Sequence, residues 1–141
     1  RDLYDVAMLS QNPITHDLTA VRKASILLGV TSKKDWRTVD LHSIDAIDQQ
    51  MIMDELTPVL RQDEELSLDA MKSNAGKILD QILNRTENEN EFLERFLEQG
   101  QYKPELLFDE DQAQLLKNHP AVLWKLQNLR KFKGLDAAPD R

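Results

Sequence analysis

The sequence predicts an all-α protein, and three observations carry that prediction. Apolar residues recur at the three-to-four-residue spacing of helices along most of the 141 residues. No Val/Ile/Thr-rich alternating run is bounded by hairpin dipeptides, so strand signals are nearly absent. Most of the prolines and glycines fall at the ends of the apolar stripes, where they punctuate helices. The length suits one domain and is short for two. It predicts about six or seven helices burying roughly 70% of the unfolded surface.

Taken in order, Leu3, Val6 and Ala7 form the first stripe, widened by Met8 and Leu9 and ended by Asn12-Pro13. Thr15 is a fair N-cap for the next helix, with Asp17 in its first turn. Leu18, Val21, Ala24 and Leu28 mark its face, and Gly29 suits its C-cap. Residues 33–41 read as a loop. Ile44, Ile47, Met51, Ile52 and Leu56 indicate a helix that Thr57-Pro58 ends or bends. Ser67 caps the longest pattern, with Leu68, Met71, Ala75, Ile78, Leu79, Ile82 and Leu83 on one face and Gly76 as its weak point. Asn88 and Glu91 have capping-box spacing ahead of Phe92, Leu93, Phe96 and Leu97, which are expected in the core; Gly100 ends that helix. Asp109 and Gln112 repeat the device before Ala113, Leu115 and Leu116. Pro120 suits the first position of a last helix, carried by Val122, Leu123, Leu126, Leu129 and Phe132 to Gly134. A tail at 136–141 is expected to fray.

Composition removes whole classes of function. With no cysteine, there is no disulfide framework, thiolate metal site or cysteine nucleophile. No stretch approaches the ~18 apolar residues of a membrane span, and no signal segment opens the chain, so the cytosol is the expected compartment. The sequence starts at Arg1, in mid-pattern, and reads as part of a longer protein.

Eighteen Lys+Arg against 25 Asp+Glu give a net charge of −7, which at first sight disfavours a duplex-DNA binder. That figure averages a segregated chain. Residues 40–111 hold 19 acids and 6 bases, a net of −13, while the two ends hold 12 bases and 6 acids, a net of +6. Two stretches contain bases and no acid: 18–34, with Arg22, Lys23, Lys33 and Lys34, and 112–135, with Lys117, Lys125, Arg130, Lys131 and Lys133. Such ends suit a phosphate-facing surface, or else the two signs pair internally or are simply solvated.

Most chemical signatures are missing. His16, His42 and His119 stand alone, with no second histidine at helical ligand spacing, and read as cap, loop or surface residues. There is no phosphate-cradling glycine loop and no Gly-x-Ser-x-Gly elbow. Two segments remain. In Arg1-Asp2-Leu3-Tyr4-Asp5 the two acids share a helix face, either as a carboxylate pair or as solvated partners of the helix dipole. In residues 119–130, and one turn beyond, Trp124, Asn128 and Lys131 share one side of a helix with Lys125 beside them. An aromatic, an amide and cations suit base stacking with phosphate contact. The structural alternative buries Trp124 in the core and leaves the lysines in water.

Together, Arg1-Asp2-Leu3-Tyr4-Asp5, Tyr102-Lys103-Pro104-Glu105-Leu106-Leu107-Phe108 and the His119-Pro120-Ala121-Val122-Leu123-Trp124-Lys125-Leu126-Gln127-Asn128 segment resemble the nucleotidyltransferase AbiEii/AbiGii toxin family. The resemblance implies the C-terminal helical region of a polymerase-β-like, Mg²⁺-dependent enzyme that moves a nucleotide from an NTP to an RNA such as tRNA, within a toxin–antitoxin or phage-abortive system. It implies that residues 1–5 close the catalytic motif, with Asp2 completing the site and Asp5 supporting it, and that 6–135 form the helical domain. It further implies that Trp124, Lys125, Asn128, Arg130 and Lys131 bind NTP or tRNA, and that a cognate antitoxin is a partner. The family's Gly-Ser and Asp-x-Asp metal motif is missing here, since Asp109-Glu110-Asp111 lacks both the Gly-Ser and the strand. These 141 residues alone are therefore expected to hold no metal and to be catalytically inactive. The alternatives are a non-enzymatic platform for an antitoxin or other protein, and a helical bundle that only stabilises a catalytic domain.

Overall fold

A computed structural model describes residues 2–9, 17–60 and 67–135, without the side chains of Asp2 and Ser43. Arg1, the Asn12-Pro13 break, the Thr15 cap, His16 and the 136–141 tail lie outside the described residues. The all-α class holds: seven α-helices of at least seven residues, one four-residue helical turn and short 3-10 turns account for the regular structure, and no strand occurs among the described residues. In chain order the α-helical segments are α1 (Asp2–Leu9), α2 (Leu18–Gly29), the single turn α3 (His42–Asp45), α4 (Gln49–Glu55), α5 (Leu68–Leu83), α6 (Glu87–Gln99), α7 (Glu110–Leu116) and α8 (Pro120–Lys133). No helix among the described residues is long and apolar enough to cross a membrane. Length alone pointed to a single domain; packing distributes the chain over two compact units.

The first unit comprises Arg1–Val21 and Asp40–Asn84. Here α1 packs along α5, and α3 also meets α5. Leu3 and Ala7 of α1 join Met71 and Ala75 of α5, with Ile44, Ile52 and Leu56, in one aliphatic cluster. Ser67 caps α5 as its sequence predicts, accepting from the Ala70 N–H at 3.2 Å. The helix predicted across Ile44–Leu56 is instead broken in two, because Asp48 turns extended and accepts from the Met51 N–H at 2.9 Å, starting α4 afresh. Lys72 Nζ donates to the Asp45 carbonyl at 3.3 Å, satisfying an orphan acceptor at the end of α3.

The second unit comprises Arg22–Val39 and Arg85–Arg141. Its core is Ile26, Leu27 and Val30, Phe92, Leu93 and Phe96 of α6, Leu107, and Val122 and Leu126 of α8. Phe92 and Phe96 stack with centroids 6.0 Å apart, and Tyr102 meets both edge-on. The Tyr102 hydroxyl donates to the Leu116 carbonyl at 2.7 Å, closing the end of α7 onto this core. Helix α6 is stopped by Gly100 and α8 by Gly134, both in the left-handed region at φ 62 and 69.

Several sequence expectations are corrected here. Asp17, not a first-turn residue, is the cap of α2: its carboxylate accepts from the Ala20 N–H at 3.0 Å. Gly29 is not a left-handed cap; it is the buried last residue of α2, where the Trp36 ring lies 2.6 Å from any Cβ that could be added. The capping box of α6 is Thr86 with Glu89, two residues ahead of Asn88 and Glu91. Glu89 of that box is only 1% exposed, a place for a carboxylate only when a cation is supplied. Arg22 supplies it, with Nε donating to both carboxylate oxygens at 3.0 and 2.8 Å. Of the apolar stripes on α7 and α8, Ala113, Val122 and Leu126 are buried, while Leu115, Leu123 and Phe132 are exposed.

Candidate functional site

The second unit carries an open groove of about 510 Å³. Its walls are the loop that leaves α2, the last turn of α6 and one side of α8. Each wall has a local reason for its shape. After Gly29 the chain makes a tight turn in which Ser32 Oγ donates to the carbonyls of Gly29 and Lys34, both at 2.8 Å. Asp35 then caps a 3-10 turn over Trp36–Thr38, accepting from the Arg37 N–H at 2.9 Å. Lys125 of α8 reaches across to donate to the Ser32 carbonyl at 2.9 Å, fixing the loop against the helix. Lys33 and Lys34, between these anchors, are held facing water and have no ionic partner among the described residues.

Two acids share the groove with these cations, Asp35 on the same loop and Glu98 at the end of α6. Arg37 binds Asp35 in a fork, Nη2 to Oδ2 at 2.7 Å, and also reaches Glu98 Oε1 at 2.7 Å. The other Glu98 oxygen accepts from Lys133 Nζ at 3.0 Å. Glu98 therefore bridges one cation of the loop and one of α8. Hydrogen bonds from Arg37, then from Lys133, hold the Glu98 carboxyl below its ordinary range. The Arg37 side-chain hydrogen bond does the same for Asp35. Hydrogen bonds from Asp35 and then Glu98 raise the Arg37 guanidinium further still. The groove so combines two lysines that have no ionic partner among the described residues with a network in which Asp35 and Glu98 balance Arg37 and Lys133. Phe132, 91% exposed, and Asn128 complete its α8 side.

The residues predicted as a site fall in both units. Trp124, Lys125, Asn128, Arg130 and Lys131 are all on α8 in the second unit, whereas Asp2 and Asp5 are on α1 in the first. Trp124 is 66% exposed, which removes the alternative that buries it in the core. Lys131 and Asn128 are exposed with it, because Val122 and Leu126 turn the opposite face of α8 into the core. Arg130 does local work: its Nε donates to the Gly100 carbonyl at 2.8 Å, beyond the end of α6. Asp5 is exposed, and the Asp2 side chain lies outside the description. His42 opens α3, and His119 occupies the N-cap position of α8 without a side-chain capping bond.

Sequence reasoning missed the loop half of the groove and Phe132. The available signal was the pair of acid-free stretches, 18–34 and 112–135, which supply Lys33, Lys34, Lys125 and Lys133 to the same groove. No group of three or more His, Asp or Glu side chains that could hold a metal ion occurs among the described residues. The chain matches no known protein family, no curated protein and no solved structure.

Proposed function

We propose that the chain is the helical, RNA-contacting part of a polymerase-β-like nucleotidyltransferase of the AbiEii/AbiGii toxin type, acting in the cytoplasm on NTP and tRNA. The single observation that carries the reading is the outer face of α8, where Trp124, Asn128 and Lys131 stand exposed together. A stacking ring, an amide and a cation on one rigid helix are what an unstacked base and its phosphate require. Asp2, with Asp5 in support, belongs in this reading to the nucleotidyl-transfer site, and Mg²⁺ would be bound chiefly by residues beyond these 141.

Titration of the chain with tRNA at low and moderate salt tests the reading. The expected outcome is salt-sensitive binding that Lys125→Glu with Lys131→Glu abolishes. Trp124→Ala should weaken binding while changing stability by less than about 0.5 kcal/mol, as for other surface positions. No binding at low salt would refute the reading. A second reading, a docking face for a partner protein such as an antitoxin, is favoured by the apolar side chains exposed on α7 and α8: Leu115, Leu123, Trp124 and Phe132. It predicts antitoxin binding that tolerates salt and is lost on Leu115→Ser.

A further inference from the structure

The groove differs from the outer face of α8 in one respect that decides its ligand: its charge is partly held in reserve. Lys33 and Lys34 have no ionic partner among the described residues and lie on a loop pinned by Ser32 and Lys125. Arg37 and Lys133 are close by but share the Glu98 carboxylate, Arg37 with Asp35 as well. An anion entering the groove meets these two lysines first and then competes with Glu98 for two more cations. Because Glu98 is exposed, its bridge is screened and exchangeable.

Phe132 adds a different requirement. Its ring is almost wholly exposed at the groove's edge, about two turns along α8 from Trp124. A free inorganic anion gains nothing from such a ring, and bases inside a duplex are already stacked on each other. An unpaired base can cover it.

We infer that this groove binds a single strand of RNA, with backbone phosphates on Lys33 and Lys34, an unpaired base on Phe132, and Glu98 acting as a resident anion that an incoming phosphate displaces from Arg37 and Lys133. The inference rests on the RNA-contacting reading above and names the form of RNA and the residues that select it.

The test measures binding of the 141-residue chain to a labelled ten-nucleotide single-stranded RNA and to the duplex of the same sequence, across a salt series. The single strand is expected to bind more tightly than the duplex. Lys33→Gln with Lys34→Gln should weaken single-strand binding and reduce the slope of log K against log salt by about 1.4, two contacts at roughly 0.7 each. Phe132→Ala should weaken it on the order of tenfold and leave duplex binding unchanged. Glu98→Gln should tighten binding, a gain that a purely structural role for Glu98 would not produce. Wild-type affinity in the Lys33/Lys34 and Phe132 variants, beside a chain that still binds RNA, would overturn the groove and leave the α8 reading intact. Weaker binding by Glu98→Gln would overturn the displacement. No RNA binding by the unaltered chain would overturn both readings.

Discussion

The two units build their cores differently. The first packs aliphatic side chains, and Leu3, Ile44, Ile52 and Met71 each keep a sliver of surface in water. The second packs Phe92, Phe96 and the edge of Tyr102 against Ile26, Leu93 and Val122, most of them sealed completely. It also buries the Arg22–Glu89 ion pair. The contrast bears on function because the groove is carried by the sealed unit. Side chains that must hold a ligand are placed more accurately on helices whose other face is locked in a tight core.

Substitutions should break or sharpen that contrast, beginning with the largest effect. Phe96→Ala should cost about 3–5 kcal/mol in denaturant unfolding, while Met71→Ala in the first unit should stay near the low end of the ~2–5 kcal/mol range for such truncations. Equal losses would erase the distinction between sealed and partly wetted cores. Next, Gly29→Ala forces a Cβ into the Trp36 ring, whose nearest atom is 2.6 Å away, and overpacking of that kind costs about 1–3 kcal/mol. Gly76, in the middle of α5 in the first unit, has nothing within 4 Å of an added Cβ. Gly76→Ala should therefore stabilise by roughly 1 kcal/mol through helix propensity. Calorimetry of both variants checks the opposite signs.

The sealed unit also carries a pH effect. Burial, with the nearby Glu105 charge, pushes the Tyr102 phenol up to about 12 from its ordinary 10.0. With a folded value above the unfolded one, its contribution is complete below pH 10 and is lost as pH rises toward 12, because the unfolded chain gives up the proton first. Tyr102→Phe should remove this alkaline loss and cost about 1 kcal/mol at neutral pH for the missing bond to Leu116. An unchanged alkaline profile in Tyr102→Phe would assign the loss to another group.

How much of this was legible in the sequence varied with the physics. Helix α5 was readable because Ser67 and its stripe of Met71, Ala75, Ile78 and Ile82 are local signals. So were the Pro120 start and Gly134 stop of α8. Thr86–Glu89 and Asn88–Glu91 offer the same capping-box spacing, and spacing could not choose between them; Arg22, 67 residues away, supplies the cation that lets Glu89 be buried there. Gly29 looked like a cap because its real constraint, the Trp36 ring, is tertiary. Periodicity placed Phe132 and Leu115 on helices but could not separate a buried side chain from one left in solvent. The candidate site was half visible: the α8 residues share one helix, while Lys33, Lys34 and Arg37 join them only through the turn after α2.

The most direct measurement maps backbone amide shifts of the chain as single-stranded RNA is added. The account predicts changes confined to the second unit, at residues 32–37, 97–98 and 124–133, with the amides of α1 and α5 undisturbed. Shifts centred on α1 and α5, or none at low salt, would contradict it.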